Sequence, residues 1–442
     1  MTMSDCRGVP VSTGNSASLA HFEKSLELLN GYFVDPLAEI ETALETDPDF
    51  IIGHCLRGGM FAVASEKAAE QGLRESVEAA EALAGQANVR ERGHIAALRA
   101  WLDGDFRAAA DGWGAVAVDY PRDLMALQLA HLGDFYLGRS SMLRDRIGRA
   151  LPHWDENVPG FGYVLGMRAF GLEEMNEFGR AEDTGRRAVE LNPRDPWAIH
   201  AVAHVLEMTG RLDDGVGWMT ERTADWAPDN MFAFHNWWHL ALYHLDRGEI
   251  ARVLEIYDTG VRPQASDVVL EMLDASALLW RLHLDGIDVG NRWAELAGDW
   301  ESTIEDGYYA FNDAHAMMAF VGDDRKDAAR TILATMEKRL DGGGTNAMMT
   351  RDVGLPLARA IHAFGQGDYA TTVDLIAPIV EIAHRFGGSN AQRDVVHRTL
   401  VEAAIRAGQG NLARALVAER LSQKPDSLFN KTNAKRAEAL AA

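Results

Sequence analysis

The amino-acid sequence predicts an all-α fold built from repeated helical hairpins. Patterns typical of β-strands are nearly absent from its 442 residues. Amphipathic stretches of about 12 to 15 residues dominate instead, and glycine, Asp-Pro or Asn-Pro breaks separate them. Similar stretches also recur with a period of about 34 residues, which is the length of one hairpin in several helical-repeat proteins.

The repeat is clearest in residues 90–123. There a first helix ends near Gly104, a second helix follows in GDFRAAADGW, and DYPRD closes the unit. The clear units are residues 17–50, 90–123, 162–195, 196–229 and 234–263, and looser ones begin near residues 272, 308, 355 and 396. Because each hairpin leaves an apolar side uncovered, neighbouring hairpins must stack. The sequence therefore predicts a tetratricopeptide-type α-solenoid, a right-handed superhelix of about 12 hairpins.

The repeats define the expected domain organisation. Residues 1–17 are small and polar and predict a flexible N-terminal tail, residues 18–425 a single superhelix, and residues 426–442 a C-terminal tail. The start of the sequence lacks the basic segment followed by an apolar segment that is typical of a secretion signal. No stretch approaches the roughly 20 apolar residues of a membrane span. Two cysteines, Cys6 and Cys55, fit a reducing compartment. We therefore expect a cytoplasmic protein without membrane contact.

The charge balance is strongly acidic. Asp and Glu number 66 against 43 Lys and Arg, which gives a net charge of −23. Because no long basic run offsets this charge, we expect no nucleic-acid partner. With only two cysteines, any bound metal is expected to have nitrogen and oxygen ligands.

Two histidine pairs are the main candidates for chemistry. HAVAHVLEMTG at 200–210 places His200, His204 and Glu207 at i, i+4 and i+7, along one stripe of a helix. HNWWHLALYH at 235–244 repeats the spacing with His235 and His239. The similarity to tetratricopeptide units implies that the first stripe faces the concave groove and that the second pair lies on or beside it.

A His-x-x-x-His pair on a helix can chelate one divalent ion. Two pairs on adjacent inner helices predict four metal ligands, His200, His204, His235 and His239, for zinc, iron or manganese. Glu207 is then the expected proton acceptor for a metal-bound water. Two alternatives stay open: the histidines line a polar groove or satisfy backbone carbonyls, or they act in acid–base chemistry without a metal.

Further candidates lie on later units. Asp274, Asp313 and His315 are predicted catalytic groups that project toward the groove, with helix capping or packing as the alternative. Seven residues are predicted to bind a ligand: Trp197, Trp238, Arg351, Asp352, Asn390, Arg393 and Asp394. For Arg351 and Asp352 we favour structural ion pairing over ligand binding. A capping box of Ser389 and Gln392 explains part of GGSNAQRD.

Several stretches resemble the tetratricopeptide repeat protein 38 family, also known as StaR-like. They are RERGHIAAL (90–98), HAVAHVLEM (200–208), HNWWHLALY (235–243), YYAFNDAHAMMA (308–319), RDVGLPLARA (351–360) and GGSNAQRDVV (387–396). The resemblance extends from about residue 20 to about residue 425. It implies the repeat architecture and supplies no catalytic assignment.

The functional prediction is a groove that binds a small ligand through the His/Glu cluster, with metal-assisted hydrolysis or related catalysis as the preferred activity. The alternative is a non-catalytic scaffold for a peptide or metabolite. Arrays that capture a terminal carboxylate use Lys, Arg and Asn at the inner positions, whereas the central units here carry His, Glu, Trp and Gly. A homodimer is left open.

Overall fold

A computed structural model describes residues 2–440 of the chain. Within this range it contains 25 α-helices, one pair of two-residue strands, and short 3-10 and π segments. Successive helices pack as pairs, for example Ser16–Gly31 with Pro36–Thr46, Val89–Leu102 with Phe106–Asp119, and Phe161–Glu173 with Phe178–Leu191. This arrangement confirms the prediction of an all-α fold of tetratricopeptide type.

The chain divides into two compact units. The first unit comprises residues 2–202 and 224–232. Its elements are β1 Met3–Ser4, β2 Pro10–Val11, α1 Ser16–Gly31, α2 Pro36–Thr46, α3 Ile51–Val63, α4 Glu70–Ala82, α5 Val89–Leu102, α6 Phe106–Asp119, α7 Leu124–Tyr136, α8 Ser140–Ala150, α9 Phe161–Glu173, α10 Phe178–Leu191 and the first half of α11 Pro196–Met208. Short 3-10 turns cover Lys67–Ala69 and Leu151–His153.

The second unit comprises residues 203–223 and 233–440. Besides the second half of α11 it contains α12 Leu212–Thr220, α14 Ala233–Asp246, α15 Ile250–Ile256, α16 Val269–Leu284, α17 Arg292–Trp300, α18 Ala310–Gly322, α19 Lys326–Arg339, α20 Thr345–Met349, α21 Leu355–Gly365, α22 Tyr369–Ile376, α23 Asn390–Arg406, α24 Gly410–Gln423 and α25 Leu428–Ala439. Short 3-10 segments cover Glu301–Thr303 and Val380–Phe386, and π segments cover Tyr257–Val261 and Thr350–Gly354. The remaining helix, α13 Thr223–Trp226, lies where the chain passes between the two units.

Local sequence explains where the hairpin helices begin and end. Asn88 and Glu91 form a capping box at the start of α5, because each side chain accepts a hydrogen bond from the other residue's backbone N–H. Gly104 ends the same helix with a φ of +83°, a left-handed conformation that favours glycine. Asp105 then caps α6 by accepting from the Ala108 N–H.

Both segments predicted as tails contain secondary structure instead. Near the N-terminus β1 pairs with β2, and the Asp5 carboxylate accepts the Val9 N–H at 2.8 Å. Near the C-terminus α25 packs against α24, and the guanidinium groups of Arg398 and Arg420 lie over the Phe429 ring. Burial of Val9 and Phe429 gives each segment an apolar anchor that its polar composition does not reveal.

The core of the second unit is centred on α16. This helix contacts α14, α18 and α23, and nearly all of its side chains are buried. Most of the buried surface is Leu, Ala, Trp and Met, which packing alone explains. Buried histidines, carboxylates and an arginine interrupt it, and they need polar partners. The candidate site lies among these polar groups.

None of the described helices combines the length and the apolar character needed to cross a bilayer.

Candidate metal centre and adjacent pocket

Three histidines converge inside the second unit. His204 lies on the second half of α11, and His235 and His239 lie one turn apart on α14. One ring nitrogen from each lies within 4.8 Å of the other two. All three side chains are buried. The predicted convergence of the two helices is therefore present, whereas the predicted open groove is not confirmed at this position.

Each histidine of α14 is held by a carboxylate. His235 Nδ1 lies 2.6 Å from Asp274 Oδ2 on α16, and His239 Nδ1 lies 3.3 Å from Glu207 Oε2 on α11. Carboxylates accept hydrogen bonds, so both Nδ1 atoms carry the proton. In neutral imidazoles this tautomer leaves a lone pair on each Nε2. The carboxylates thus orient two nitrogen lone pairs.

The two Nε2 atoms face each other at 3.3 Å. Two lone pairs at this distance repel unless a proton or a cation lies between or beside them. Two imidazole nitrogens on one tetrahedral zinc are about 3.3 to 3.4 Å apart, given Zn–N bonds of about 2.0 to 2.1 Å. A histidine whose Nδ1 donates to a carboxylate while its Nε2 binds metal is also the usual outer-sphere arrangement of metal sites. The donor set therefore fits a divalent metal.

Burial favours the neutral form of His239. Desolvation is the largest cause that holds the pKa of His239 well below its usual value, and the nearby His204, His235, Arg281 and Lys424 act in the same direction. A neutral imidazole is the form that binds metal.

Two buried polar atoms next to the histidines have no hydrogen-bond partner within the described part of the chain. They are Asp274 Oδ1, on the carboxylate that holds His235, and Trp238 Nε1. The Trp238 ring stacks on His235 with centroids 5.3 Å apart and contacts His239 edge-on at 4.9 Å. One acceptor and one donor without a protein partner thus flank the histidine pair.

The predicted ligands His200 and Trp197 belong to the part of α11 that falls in the first unit. His200 lies one helical turn before His204 on the same helix. The Trp197 ring stacks on Tyr32 at 5.7 Å, and the His200 ring stacks on Phe170 at 5.4 Å. Both are buried, so Trp197 is a core residue of the first unit and not the wall of an open groove. The role of His200 as a further metal ligand stays a prediction.

The predicted catalytic residues of α18 have local roles. His315 Nδ1 donates to the Phe311 carbonyl at 2.8 Å, and its ring packs on the Phe311 ring. Burial lowers the pKa of His315 to about 4 and raises the pKa of Asp313 to about 7. Within residues 2–440, neither side chain belongs to a group of three or more whose possible metal-ligand atoms lie close together. The packing alternative fits both residues better than the catalytic one.

Arg351 and Asp352 form an exposed ion pair. Arg351 Nε lies 3.2 Å from Asp352 Oδ1, and Arg385 approaches the other carboxylate oxygen at 3.2 Å. This geometry matches the structural ion pair favoured from the sequence.

Asn390, Arg393 and Asp394 line a pocket of about 290 Å³ in the second unit. Arg393 donates to the Gly388 carbonyl and to Asn390 Oδ1. Burial would raise the pKa of Asp394, but Arg420 and Arg398 outweigh it and hold that pKa well below its usual range. The other lining residues include Met208, His384, His397, Arg420, Lys424 and Asn430.

Lys424 connects this pocket to the histidines. Its Nζ lies 3.6 Å from Glu207 Oε1, and the other oxygen of the same carboxylate contacts His239. Sequence reasoning missed both Lys424 and Arg281, a buried cation of α16. Arg281 carries a usable signal, because it interrupts the apolar run ALLWRLHL. Lys424 directly follows α24, and nothing in its local sequence marks it as part of a site.

No known protein-family model matches the chain. Among solved structures, the human IFIT1 dimer with m7Gppp-AAAA is 14% identical with a TM-score of 0.44, covering 98% of this chain and 96% of its own. Yeast Tom70 is 11% identical with a TM-score of 0.32, covering 96% and 87%. The P58(IPK) TPR domain is 12% identical with a TM-score of 0.21, covering 89% and 98%.

These neighbours are helical-repeat proteins, and such distant likeness carries no argument about function. The resemblance to the tetratricopeptide repeat protein 38 family is not confirmed by them. The prediction that this chain binds no nucleic acid stays a prediction.

Proposed function

We propose that this chain is a helical-repeat binding protein whose second unit holds a divalent metal ion on His204, His235 and His239. The ion serves as the anchor for a small ligand, either a metabolite or the end of a peptide. We further propose that the protein is cytoplasmic and belongs to the tetratricopeptide repeat protein 38 family.

The observation that carries this proposal is the 3.3 Å separation of the two Nε2 atoms, each on a ring whose Nδ1 faces a carboxylate. A shared proton would also relieve the repulsion, but it requires one of the buried rings to be charged. For His239, desolvation opposes that charge. A metal ion satisfies both lone pairs with neutral rings, and His204 supplies a third nitrogen close by.

The chain's own residues have distinct roles in this site. His204, His235 and His239 are the ligands. Asp274 fixes the tautomer and the ring orientation of His235 through their 2.6 Å contact, and Glu207 does so more weakly for His239. One carboxylate oxygen of Glu207 faces His239 and the other faces Lys424. Glu207 therefore orients the metal-binding ring of His239 and is poorly placed for the predicted role of proton acceptor.

A second candidate function is metal-assisted hydrolysis. What favours it is a donor set of the three histidines of the second unit, which without His200 leaves one position of a tetrahedral ion open, as in catalytic zinc sites. When bound there, the metal would lower the pKa of a water molecule and so supply a nucleophile.

Metal titration of untagged, chelator-treated protein tests the binding proposal. We expect about one zinc ion per chain by calorimetry, and loss of that site in His235→Ala. His244→Ala is the matched control, because His244 is also buried on α14 and its Nδ1 lies 2.5 Å from Glu249. The apo forms of both variants are compared by melting temperature. Unchanged zinc binding in a folded His235→Ala variant would refute the site.

Hydrolysis is tested separately, with zinc-loaded protein and a panel of ester, amide and phosphoester substrates. Turnover that a chelator abolishes and zinc restores supports the catalytic candidate. Tight zinc binding without turnover on any substrate leaves the binding function as the better account.

A further inference from the structure

We infer that the ligand held beside the metal centre carries an oxyanion group, a carboxylate or phosphate, which Arg281 and Lys424 bind. This inference rests on the proposed metal site and names the chemical class of its ligand. It follows from the burial and the pairing of these two cations and from the pocket that Lys424 lines.

Arg281 is a buried cation without a carboxylate partner. Its side chain is 1% exposed, and it donates to the carbonyls of Ala277 and Ala391, each at 2.8 Å. Its guanidinium also lies 5.2 Å from the centre of the Trp238 ring. Among the described residues no carboxylate forms an ion pair with it. Carbonyl oxygens and an aromatic face satisfy its hydrogens, while Asp394, Glu207 and Asp246 act on its charge without forming an ion pair with it.

The pKa of Arg281 agrees with this description. Burial is the largest cause that lowers it, to about 10, and the nearby positive charge of Arg398 adds to the effect, while the carboxylates of Asp394, Glu207 and Asp246 act in the opposite direction without overcoming it. Buried arginines are normally paired directly with carboxylates or phosphates. An anionic ligand would supply that direct partner.

Lys424 is the second cation. Its only ion pair within residues 2–440 is the long contact of 3.6 Å with Glu207, and its side chain is 17% exposed at the pocket. The flexible stem of a lysine lets its ammonium group move to a ligand oxygen within reach. Lys424 is thus available to an anion, unlike Arg420, which lies 2.6 Å from Asp394.

The pocket lies beside both cations. Ala391, whose carbonyl accepts from Arg281, is one of its lining residues, and so is Met208, which follows Glu207 in the chain. Its volume of about 290 Å³ is at the small end of ligand sites and suits a compact metabolite or the end of a chain.

Charge counting favours an anion once the metal is present. Arg281 and Lys424 bring two positive charges near the histidines, and Glu207 and Asp274 bring two negative ones. A divalent ion on neutral histidines adds two positive charges to this buried region. An anion that binds the metal and the two cations would offset them through charge-assisted hydrogen bonds.

Anion titrations of zinc-loaded protein test the inference, with inorganic phosphate in one arm and succinate in the other. We expect at least one of the two to bind, and the preferred arm distinguishes phosphate from carboxylate ligands. Lys424→Gln should weaken that anion about 10-fold, since it removes one charge-assisted hydrogen bond, while the zinc stoichiometry stays the same. Lys431→Gln, an exposed lysine paired with Asp426, should leave anion affinity unchanged.

Arg281→Lys keeps the charge and loses the bonds to both carbonyls, and it should also weaken the anion. If this buried variant fails to fold, the anion affinity of Lys424→Gln alone tests the inference. Equal anion affinity in wild type and Lys424→Gln, or no binding of either anion to zinc-loaded protein, would overturn the inference. Absence of zinc binding would instead refute the proposed metal site. Anion titration of the apo protein would then test whether Arg281 and Lys424 bind an anion without the metal.

Discussion

Asp274→Asn provides a sensitive test of the carboxylate-supported histidine. The substitution keeps the shape of the side chain but removes the negative charge that faces His235 Nδ1 at 2.6 Å. A hydrogen bond to a charged group contributes about 1.5 to 3 kcal/mol, against about 0.5 to 1.5 for a neutral one. The difference of about 1 to 2 kcal/mol corresponds to roughly a 5- to 30-fold loss of metal affinity. This range overlaps the 10- to 100-fold effect typical of such outer-sphere partners.

The assay is competition for zinc with a chromophoric chelator, followed across Asp274→Asn, Glu207→Gln and Glu249→Gln. Glu207→Gln should cost less than Asp274→Asn, because its contact with His239 is 3.3 Å long. Glu249→Gln is the control, since Glu249 holds His244 with the same Nδ1 geometry outside the histidine cluster. Equal zinc affinities for Asp274→Asn and the control would show that Asp274 does not support metal binding through His235.

Three predictions concern stability and are measured by urea denaturation. Asp313 has a pKa of about 7 in the folded state against 3.8 unfolded, so its titration should cost up to about 4 kcal/mol as the pH rises from 4 to 7; wild type should lose that much relative to Asp313→Asn, and identical pH profiles would contradict it. His131 is buried and its pKa falls to about 3, so its titration should cost up to about 5 kcal/mol as the pH falls from 6.5 to 3; wild type should lose that much relative to His131→Phe, and parallel profiles of the two proteins would count against it. Asp123 is buried at 2.6 Å from Arg90 and 2.8 Å from His94, so Asp123→Asn should cost about 3 to 5 kcal/mol at pH 7, and a cost below about 1 would be inconsistent with a buried ion pair.

Local sequence predicts the helices and the pairing of His235 with His239 in the candidate site. The capping box at Ser389 and Gln392 is present at the start of α23, as its spacing predicts. The His-x-x-x-His spacing places His235 and His239 on one side of α14 whatever surrounds the helix, because the period of an α-helix is local geometry. The helical period of the sequence is therefore sufficient to predict such features.

Other features depend on residues distant in the chain. Asp274 is 39 positions from His235, and its role as the partner of that ring depends on how α16 packs on α14. Nothing local marks Lys424 as a neighbour of Glu207. Burial is equally nonlocal: Trp238 was expected beside a ligand in an open groove, and packing between helices encloses it completely. Tertiary contacts decide these points, and a single sequence does not specify them.

Anomalous diffraction at the zinc absorption edge, from crystals of the zinc-loaded protein, would locate the ion itself. We expect one strong peak in the second unit, about 2.0 to 2.1 Å from Nε2 of His235, Nε2 of His239 and a ring nitrogen of His204. A map without a peak there, in which the two Nε2 atoms remain 3.3 Å apart with no ion between or beside them, would contradict it.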